Sequence, residues 1–112
     1  MDGKQQTITA LGALAHENRL DLFRLLVRRG PDGLSAGAIA ERLGILPSSL
    51  SFHLQQLVHA GLTTQRRVGR QIIYAVNCDT MNALMAYLTE NCCAESSAGC
   101  APAACDQSGR AA

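Results

Sequence analysis

The sequence predicts a mainly α-helical fold that carries one β-hairpin. Apolar residues recur at helical spacing through most of the first 60 residues and again over residues 79–92. Between these regions the string "LTTQRRVGRQIIYAV" has two β-prone runs on either side of Val68-Gly69, which is typical of a hairpin. The 112 residues of the chain are the length of a single domain.

The first two helices are predicted from apolar spacing over residues 4–14 and 16–30. The first segment has apolar side chains at intervals of three: Ile8, Leu11 and Leu14. The second, "HENRLDLFRLLVRRG", ends where Gly30 precedes Pro31. We expect one face of this second helix to be buried: Leu20, Phe23, Leu26 and Val27.

Two shorter helices follow, joined by a tight turn. Ser35 is a suitable N-cap for a helix through Leu43, and Gly44 is suited to ending it. Pro47 fits the first position of the next helix, which extends to about Ala60, because a missing N–H is tolerated there. Its inward face is expected to hold Leu50, Leu54, Leu57 and Val58.

The chain is expected to end in a helix and a polar tail. The helix covers about residues 79–92, with an apolar stripe of Met81, Leu84, Met85 and Leu88. Residues 94–112 are small, polar and without periodicity, which predicts a flexible tail beyond a folded domain of residues 1–93. Cys78, between hairpin and helix, is interpreted as a small apolar filler.

Two short helices joined at Gly44 and followed by a hairpin form a winged helix-turn-helix, in which the second helix enters the DNA major groove. The charge pattern favours this function, because no acidic residue lies between Glu41 and Asp79 while four arginines do. The recognition helix and the hairpin, or wing, supply the candidate DNA-binding residues: Ser48, Ser49, Ser51, His53, Gln56, Arg66, Arg67 and Arg70.

Three strings carry a family resemblance: "LAHENRLDLFRLL", "IAERLGILPSSLSFHLQQLVHAGL" and "RRVGRQIIYAV". Over residues 10–93 the chain resembles the ArsR/SmtB family of metal-responsive repressors. The resemblance implies a homodimer formed through the first and last helices, a palindromic operator, and release of DNA when an inducer binds. Leu46 stands where the family usually has a Ser or Thr cap, and Phe52 where it often has a basic residue.

Four of the five cysteines lie between Cys92 and Cys105. The N-terminus lacks an apolar export signal, so we expect a cytoplasmic protein, in which clustered thiols indicate metal binding or redox chemistry. Two inducer sites known in the family are unlike this chain, because residues 35–43 contain no Cys and residues 79–91 contain no His.

"LTENCC" followed by a third cysteine resembles the arsenic-responsive members of the family, which implies that Cys92, Cys93 and Cys100 bind As(III) or Sb(III) as inducer. Soft thiolates select such soft acceptors. Neighbouring residues of an ideal helix point about 100° apart, so the adjacent cysteines must lie where the helix ends. Cys105 is left open as a further ligand or a bystander.

Other functions stay open at this point. The same fold could sense a trivalent organoarsenical, cadmium, lead or zinc, or the thiols could form a redox switch. A thiol protein that handles metalloids is a more distant alternative. We expect no catalysis and no organic cofactor, because the sequence has no nucleophile constellation and no phosphate loop. No apolar run approaches the roughly 18 residues that span a bilayer.

Overall fold

The computed structural model describes residues 3–95. Its elements, in order, are α1 (Gly3–Leu14), α2 (Glu17–Arg29), a 3₁₀ turn (Gly30–Asp32), β1 (Leu34–Ser35), α3 (Ala36–Leu43), α4 (Pro47–His59), β2 (Thr63–Val68), β3 (Gln71–Val76) and α5 (Cys78–Thr89). The predicted winged helix-turn-helix is confirmed: α3 and α4 form the helix-turn-helix, and β2 and β3 form the wing.

A short strand that the sequence did not predict completes the sheet. β1 pairs with β3, which also pairs with β2, and all the pairings are antiparallel. At the tip of the wing Val68 pairs with Gln71, and Gly69 takes a φ of +63° as predicted. β1 has only two residues, too few to show the alternation by which a strand is recognised.

α3 begins and ends, and α4 begins, at the residues that the local sequence predicts. The Oγ of Ser35 accepts a hydrogen bond of 3.2 Å from the backbone N–H of Ala38, and Gly44 ends α3 in the left-handed conformation. Pro47 begins α4 behind Leu46, whose side chain makes no capping hydrogen bond. The start of α4 therefore depends on proline and on packing, not on a cap.

The core lies where α2, α3, α4 and the wing meet. Its most completely buried side chains are seven: Leu22, Leu26, Ile39, Leu50, Leu54, Leu57 and Leu62. Three of these come from α4, so the face of α4 opposite to them is turned outward. Packing in the core thus determines which side of the recognition helix is available to DNA.

The predicted buried faces of α1 and α2 need correction. In α1 the buried residues are Thr7, Ala10 and Ala13, whereas Ile8 and Leu11 are exposed. In α2 Leu22 and Leu25 are buried beside Phe23 and Leu26, whereas Leu20 and Val27 are 44% and 37% exposed. In α1 the small side chains face inward, since they allow the helix axes to approach closely.

The last helix also differs from its prediction. α5 begins at Cys78 and ends at Thr89, three residues before the predicted end. Of its apolar stripe Leu84 is buried, whereas Met85 and Leu88 are exposed in the single chain. Cys78 is exposed as the first residue of the helix, so its interpretation as a buried filler was wrong.

Candidate functional site

The outward face of α4 carries a row of small polar groups. Ser48, Ser49 and Ser51 are exposed in its first two turns, and Gln56 is partly exposed farther along. These hydroxyl and amide groups can donate to and accept from base edges or phosphate oxygens. The structure thus brings four of the predicted recognition-helix residues to the accessible side of α4.

His53 does not share that face. Its side chain is only 7% exposed, and it lies three residues after Leu50 and four before Leu57, on the buried side of α4. Its ring centroid is 4.6 Å from that of His16, and its Nδ1 is 3.4 Å from the Nη1 of Arg19. The prediction that His53 contacts DNA is therefore corrected: it was drawn from residue type, whereas the helical spacing already placed it inward.

The surroundings of His53 favour the neutral form of its ring. Burial, followed by the electrostatic influence of the neighbouring basic side chains of His16 and then Arg19, lowers the pKa of His53 below its ordinary value. Arg19 is itself anchored, since its Nε donates a hydrogen bond of 2.6 Å to the carbonyl of Ala13 at the end of α1. His16 caps α2, since its Nδ1 accepts a hydrogen bond from the backbone N–H of Asn18.

The wing carries the three predicted arginines in two different situations. The guanidinium of Arg66 donates to the carbonyls of Pro31 (3.4 Å) and Asp32 (3.1 Å), which fastens β2 to the 3₁₀ turn. Arg67 and Arg70 are exposed, and within residues 3–95 neither side chain has a hydrogen bond or an ion pair. Their charges stand at the tip of the wing, next to an acid-free recognition helix, where a phosphate backbone would be attracted.

The two adjacent cysteines lie just beyond α5, in backbone that is no longer helical. The N–H of Cys92 donates to the carbonyl of Thr89 (3.0 Å), while Asn91 and Cys93 have positive φ angles of 57° and 62°. The two Sγ atoms are 3.6 Å apart, within hydrogen-bonding distance of each other. The turn thus brings together two sulfur atoms that an ideal helix would point apart.

That separation suits two ligands of one atom. For bonds of about 2.3 Å, such as those of zinc to thiolate sulfur, it corresponds to an angle of about 100° at the central atom. Within residues 3–95, no three His, Cys, Asp or Glu side chains are grouped so that they could hold a metal ion. The predicted third ligand, Cys100, and the further thiol, Cys105, lie outside the described residues.

Residues 14–66 match the family model of a helix-turn-helix domain. The chain is 30% identical over 89 residues to the HTH-type transcriptional regulator YgaV of Escherichia coli K12, an alignment that covers 80% of this chain and 88% of YgaV. An ArsR-like transcriptional regulator from Rhodococcus sp. RHA1 has a similar structure, with a TM-score of 0.70 and 28% identity over 82% of this chain and 83% of its own. The chain belongs to the ArsR/SmtB family of transcriptional regulators.

Two further solved structures resemble this ArsR-family regulator. One is the homodimeric winged helix-turn-helix domain of Mb0332 from Mycobacterium bovis, with a TM-score of 0.63 and 29% identity over 78% of this chain and 81% of that one. The other is described as a "possible transcriptional regulator for arsenical resistance", with a TM-score of 0.61 and 29% identity over 70% of this chain and 79% of that one.

The family and its neighbours are transcriptional regulators, and regulators with a helix-turn-helix domain bind DNA. No helix within residues 3–95 is long and apolar enough to cross a membrane. The signal is a separate question, because family membership does not specify the inducer.

Proposed function

We propose that this regulator is a cytoplasmic repressor that responds to arsenite or antimonite. In the proposal the apo homodimer binds a palindromic operator, and it releases the operator when As(III) binds Cys92, Cys93 and Cys100. The observation that carries the proposal is the approach of the Cys92 and Cys93 sulfurs to 3.6 Å just beyond α5. One solved relative is itself described in terms of arsenical resistance, which supports the same inducer class.

The chemistry of the inducer matches a site built from thiols. Arsenous acid is neutral and carries three hydroxyls; exchanging them for three thiols forms three As–S bonds and releases three water molecules. The product is neutral, whereas a zinc tetrathiolate would carry a charge of −2. The carboxylates of Glu90 and Glu95 flank the two cysteines in sequence, and the C-terminus of α5 also disfavours negative charge. A neutral centre is therefore favoured.

Exposed apolar residues on α1 and α5 support assembly as a homodimer. Five large side chains on these helices lie at least two-fifths exposed: Ile8, Leu11, Met85, Tyr87 and Leu88. α1 and α5 pack against each other, so their apolar residues can form one surface for a second copy. The domain of Mb0332, of the same fold, is homodimeric. In such a dimer the thiols stand at the end of an interface helix.

A direct connection joins the start of α5 to the end of the recognition helix. The Nδ2 of Asn77 donates 2.9 Å to the carbonyl of Gly61, and the N–H of Asn77 donates 2.9 Å to the carbonyl of Leu62. A displacement of α5 on metalloid binding would therefore be transmitted to α4. Since a two-half-site operator requires recognition helices about 34 Å apart, a change in their spacing weakens binding. An allosteric coupling of about 1–3 kcal/mol corresponds to roughly 5–150-fold.

The test is a titration of operator release. The apo protein first selects its operator from random duplexes, and the fluorescent operator complex is then titrated with arsenite under reducing conditions. Release is expected for the wild type and for Cys78→Ser, a matched control because Cys78 is exposed at the opposite end of α5. Undiminished release from a variant with Cys92, Cys93 and Cys100 all changed to serine would refute the thiol site.

The same preparation separates the alternative signals. X-ray absorption distinguishes a three-sulfur arsenic shell from a four-ligand zinc or cadmium shell, and titration with methylarsenite and lead tests those inducers. Release by peroxide without any metalloid would instead identify a redox switch. Failure to select any operator would favour a metalloid-handling thiol protein.

A further inference from the structure

An aromatic side chain stands in the middle of the polar face of α4. Phe52 is 58% exposed, although large aromatic residues are normally buried when a core is within reach. At about 100° per residue it lies nearly opposite the buried side chains of Leu50 and Leu54. Ser48, four residues earlier, and Gln56, four residues later, are its polar neighbours along the helix.

The ring of Phe52 is held in place from behind. Its centroid is 5.8 Å from that of His53, with an angle of 63° between the planes, which is an edge-to-face contact. His53 is in turn buried against His16 and Arg19. An exposed ring that is already supported by buried groups loses little conformational freedom when it meets a ligand.

The chemistry of the surface around Phe52 indicates which kind of ligand contacts its ring. The recognition helix and the wing contain no acidic residue, and the neighbours of Phe52 are hydroxyl and amide groups, so the surface suits a groove of DNA more than the apolar face of another protein. In the major groove the apolar group that base edges present is the 5-methyl of thymine, and phenylalanine is among the side chains that contact it.

We propose that Phe52 packs against the 5-methyl group of a thymine in each operator half-site and so determines the base preference at that position. This inference rests on the proposed function, because it requires that α4 enter the major groove. The serines beside Phe52 then supply hydrogen bonds, while the ring supplies an apolar contact that distinguishes thymine from the other bases.

Replacing thymidine by deoxyuridine tests this contact, since the two nucleosides differ only in the 5-methyl group of the base. Each thymine of the selected operator is replaced in turn, at equivalent positions of both half-sites, and the dissociation constant is measured at fixed salt. At one position the replacement is expected to weaken wild-type binding by about fourfold per half-site, or roughly fifteenfold for both half-sites. This is the loss that removal of one buried methyl group per half-site predicts.

Variants connect the missing methyl to Phe52. Phe52→Ala is expected to bind the thymine and deoxyuridine operators equally at that position, and Phe52→Leu to retain part of the difference. Val27→Ala, which shortens a partly exposed apolar side chain on α2, is the control that keeps the full difference. Because Phe52 is exposed, its truncation leaves the core intact, which circular dichroism checks.

Several outcomes would overturn the inference. If the wild type binds with unchanged affinity wherever deoxyuridine replaces thymidine, the inference fails, but the proposed repressor function is unaffected. Undiminished discrimination in Phe52→Ala would assign the methyl contact to another residue. A loss of dimerisation in Phe52→Ala, seen by sedimentation, would show that the ring covers a protein contact. If the protein selects no operator at all, the proposed function fails together with the inference.

Discussion

The imidazole rings of His16 and His53 lie 4.6 Å apart, between the start of α2 and the middle of the recognition helix. Arg19 approaches the same pair and also binds the carbonyl of Ala13 in α1. Three basic side chains therefore join three helices behind the exposed face of α4. This arrangement disfavours a proton on His53, because the proton would meet two other basic groups in a buried place.

Stability is therefore expected to decrease in mild acid. The pKa of His53 is lower in the folded state than in the unfolded chain, where it is about 6.5. Above that value His53 is neutral in both states; below it the unfolded chain takes up a proton that the folded state resists. The free energy of unfolding should thus fall as pH decreases from about 6.5 toward the lowered pKa. Urea denaturation at pH 7.5, 6.5 and 5.5, at one protomer concentration, measures it.

His53→Gln is the matching variant for this pH dependence, since it removes the titrating group. Its stability at pH 7.5 need not equal that of the wild type, because only the change with pH is compared. That change should be smaller than in the wild type. An equal loss of stability toward acid in both proteins would show that His53 is not the group responsible.

Gly33 should not tolerate a side chain. Its φ is +68°, and an added Cβ would overlap the carbonyl oxygen of Tyr74 and lie 2.8 Å from the Cγ2 of Ile73. Gly33→Ala is expected to reduce the free energy of unfolding by at least about 1–3 kcal/mol, since strained backbone and steric overlap add. Gly37→Ala is the control, because a Cβ there meets nothing within 4 Å. It should be as stable as the wild type or more so, in thermal and urea denaturation.

Asn77 is expected to stabilise the protein through both the oxygen and the nitrogen of its side-chain amide. Its Oδ1 accepts from the N–H of Thr80 to cap α5, and its Nδ2 donates to the carbonyl of Gly61. Asn77→Ala removes both bonds and should destabilise the protein by about 1–2 kcal/mol. Asn77→Asp keeps the cap and removes only the donor.

The aspartate variant therefore tests the side-chain part of the link between α5 and the end of α4, since the bond from the backbone N–H of Asn77 to Leu62 remains. If the side-chain bond carries the allosteric signal, Asn77→Asp should bind the operator and still bind arsenite, but release DNA less completely. Release equal to that of the wild type would show that the signal does not require the side-chain bond.

The arginines of the wing should differ in the salt dependence of operator binding. Removing one bond to a phosphate reduces the slope of log K against log salt by about one, so Arg67→Ala or Arg70→Ala should reduce it by about two in a dimer. Arg66→Ala is expected to change the slope less, because its guanidinium is bonded to the carbonyls of Pro31 and Asp32. Fluorescence anisotropy over a range of salt concentrations measures the slopes. Equal slopes for the wild type and the three variants would argue that the wing does not bind phosphate.

Local sequence was sufficient wherever a structure depends on neighbouring residues. Ser35, Gly44, Pro47 and Gly69 act at the positions where their side chains or backbone freedom predicted a cap, a helix start or a turn. The order of helices and hairpin followed from the same signals. β1 was not predicted because its two residues are a strand only through pairing with Tyr74 and Ile73, which are distant along the chain.

For the candidate site, the sequence predicted the positions of some residues correctly and of others wrongly. The serines of α4 and the arginines of the wing were found from residue type and charge, and the structure places the three serines and the three arginines on accessible surface. His53 was misplaced because a polar residue on a recognition helix suggests DNA, whereas helical spacing and a second ring from α2 bury it. The exposure of Phe52 could have been read from the same spacing.

By itself, the sequence determined the kinds of element, their order, the acid-free stretch and the adjacency of two cysteines, because each depends on residues close together along the chain. Only the tertiary structure decided which side of each helix is covered and that α5 ends early enough to bring the sulfurs of Cys92 and Cys93 together. It also decided that the guanidinium of Arg66 is hydrogen-bonded whereas, in the described part of the chain, those of Arg67 and Arg70 are not. These features depend on contacts between segments distant in sequence and on where a helix gives way to a turn, which short-range periodicity does not encode.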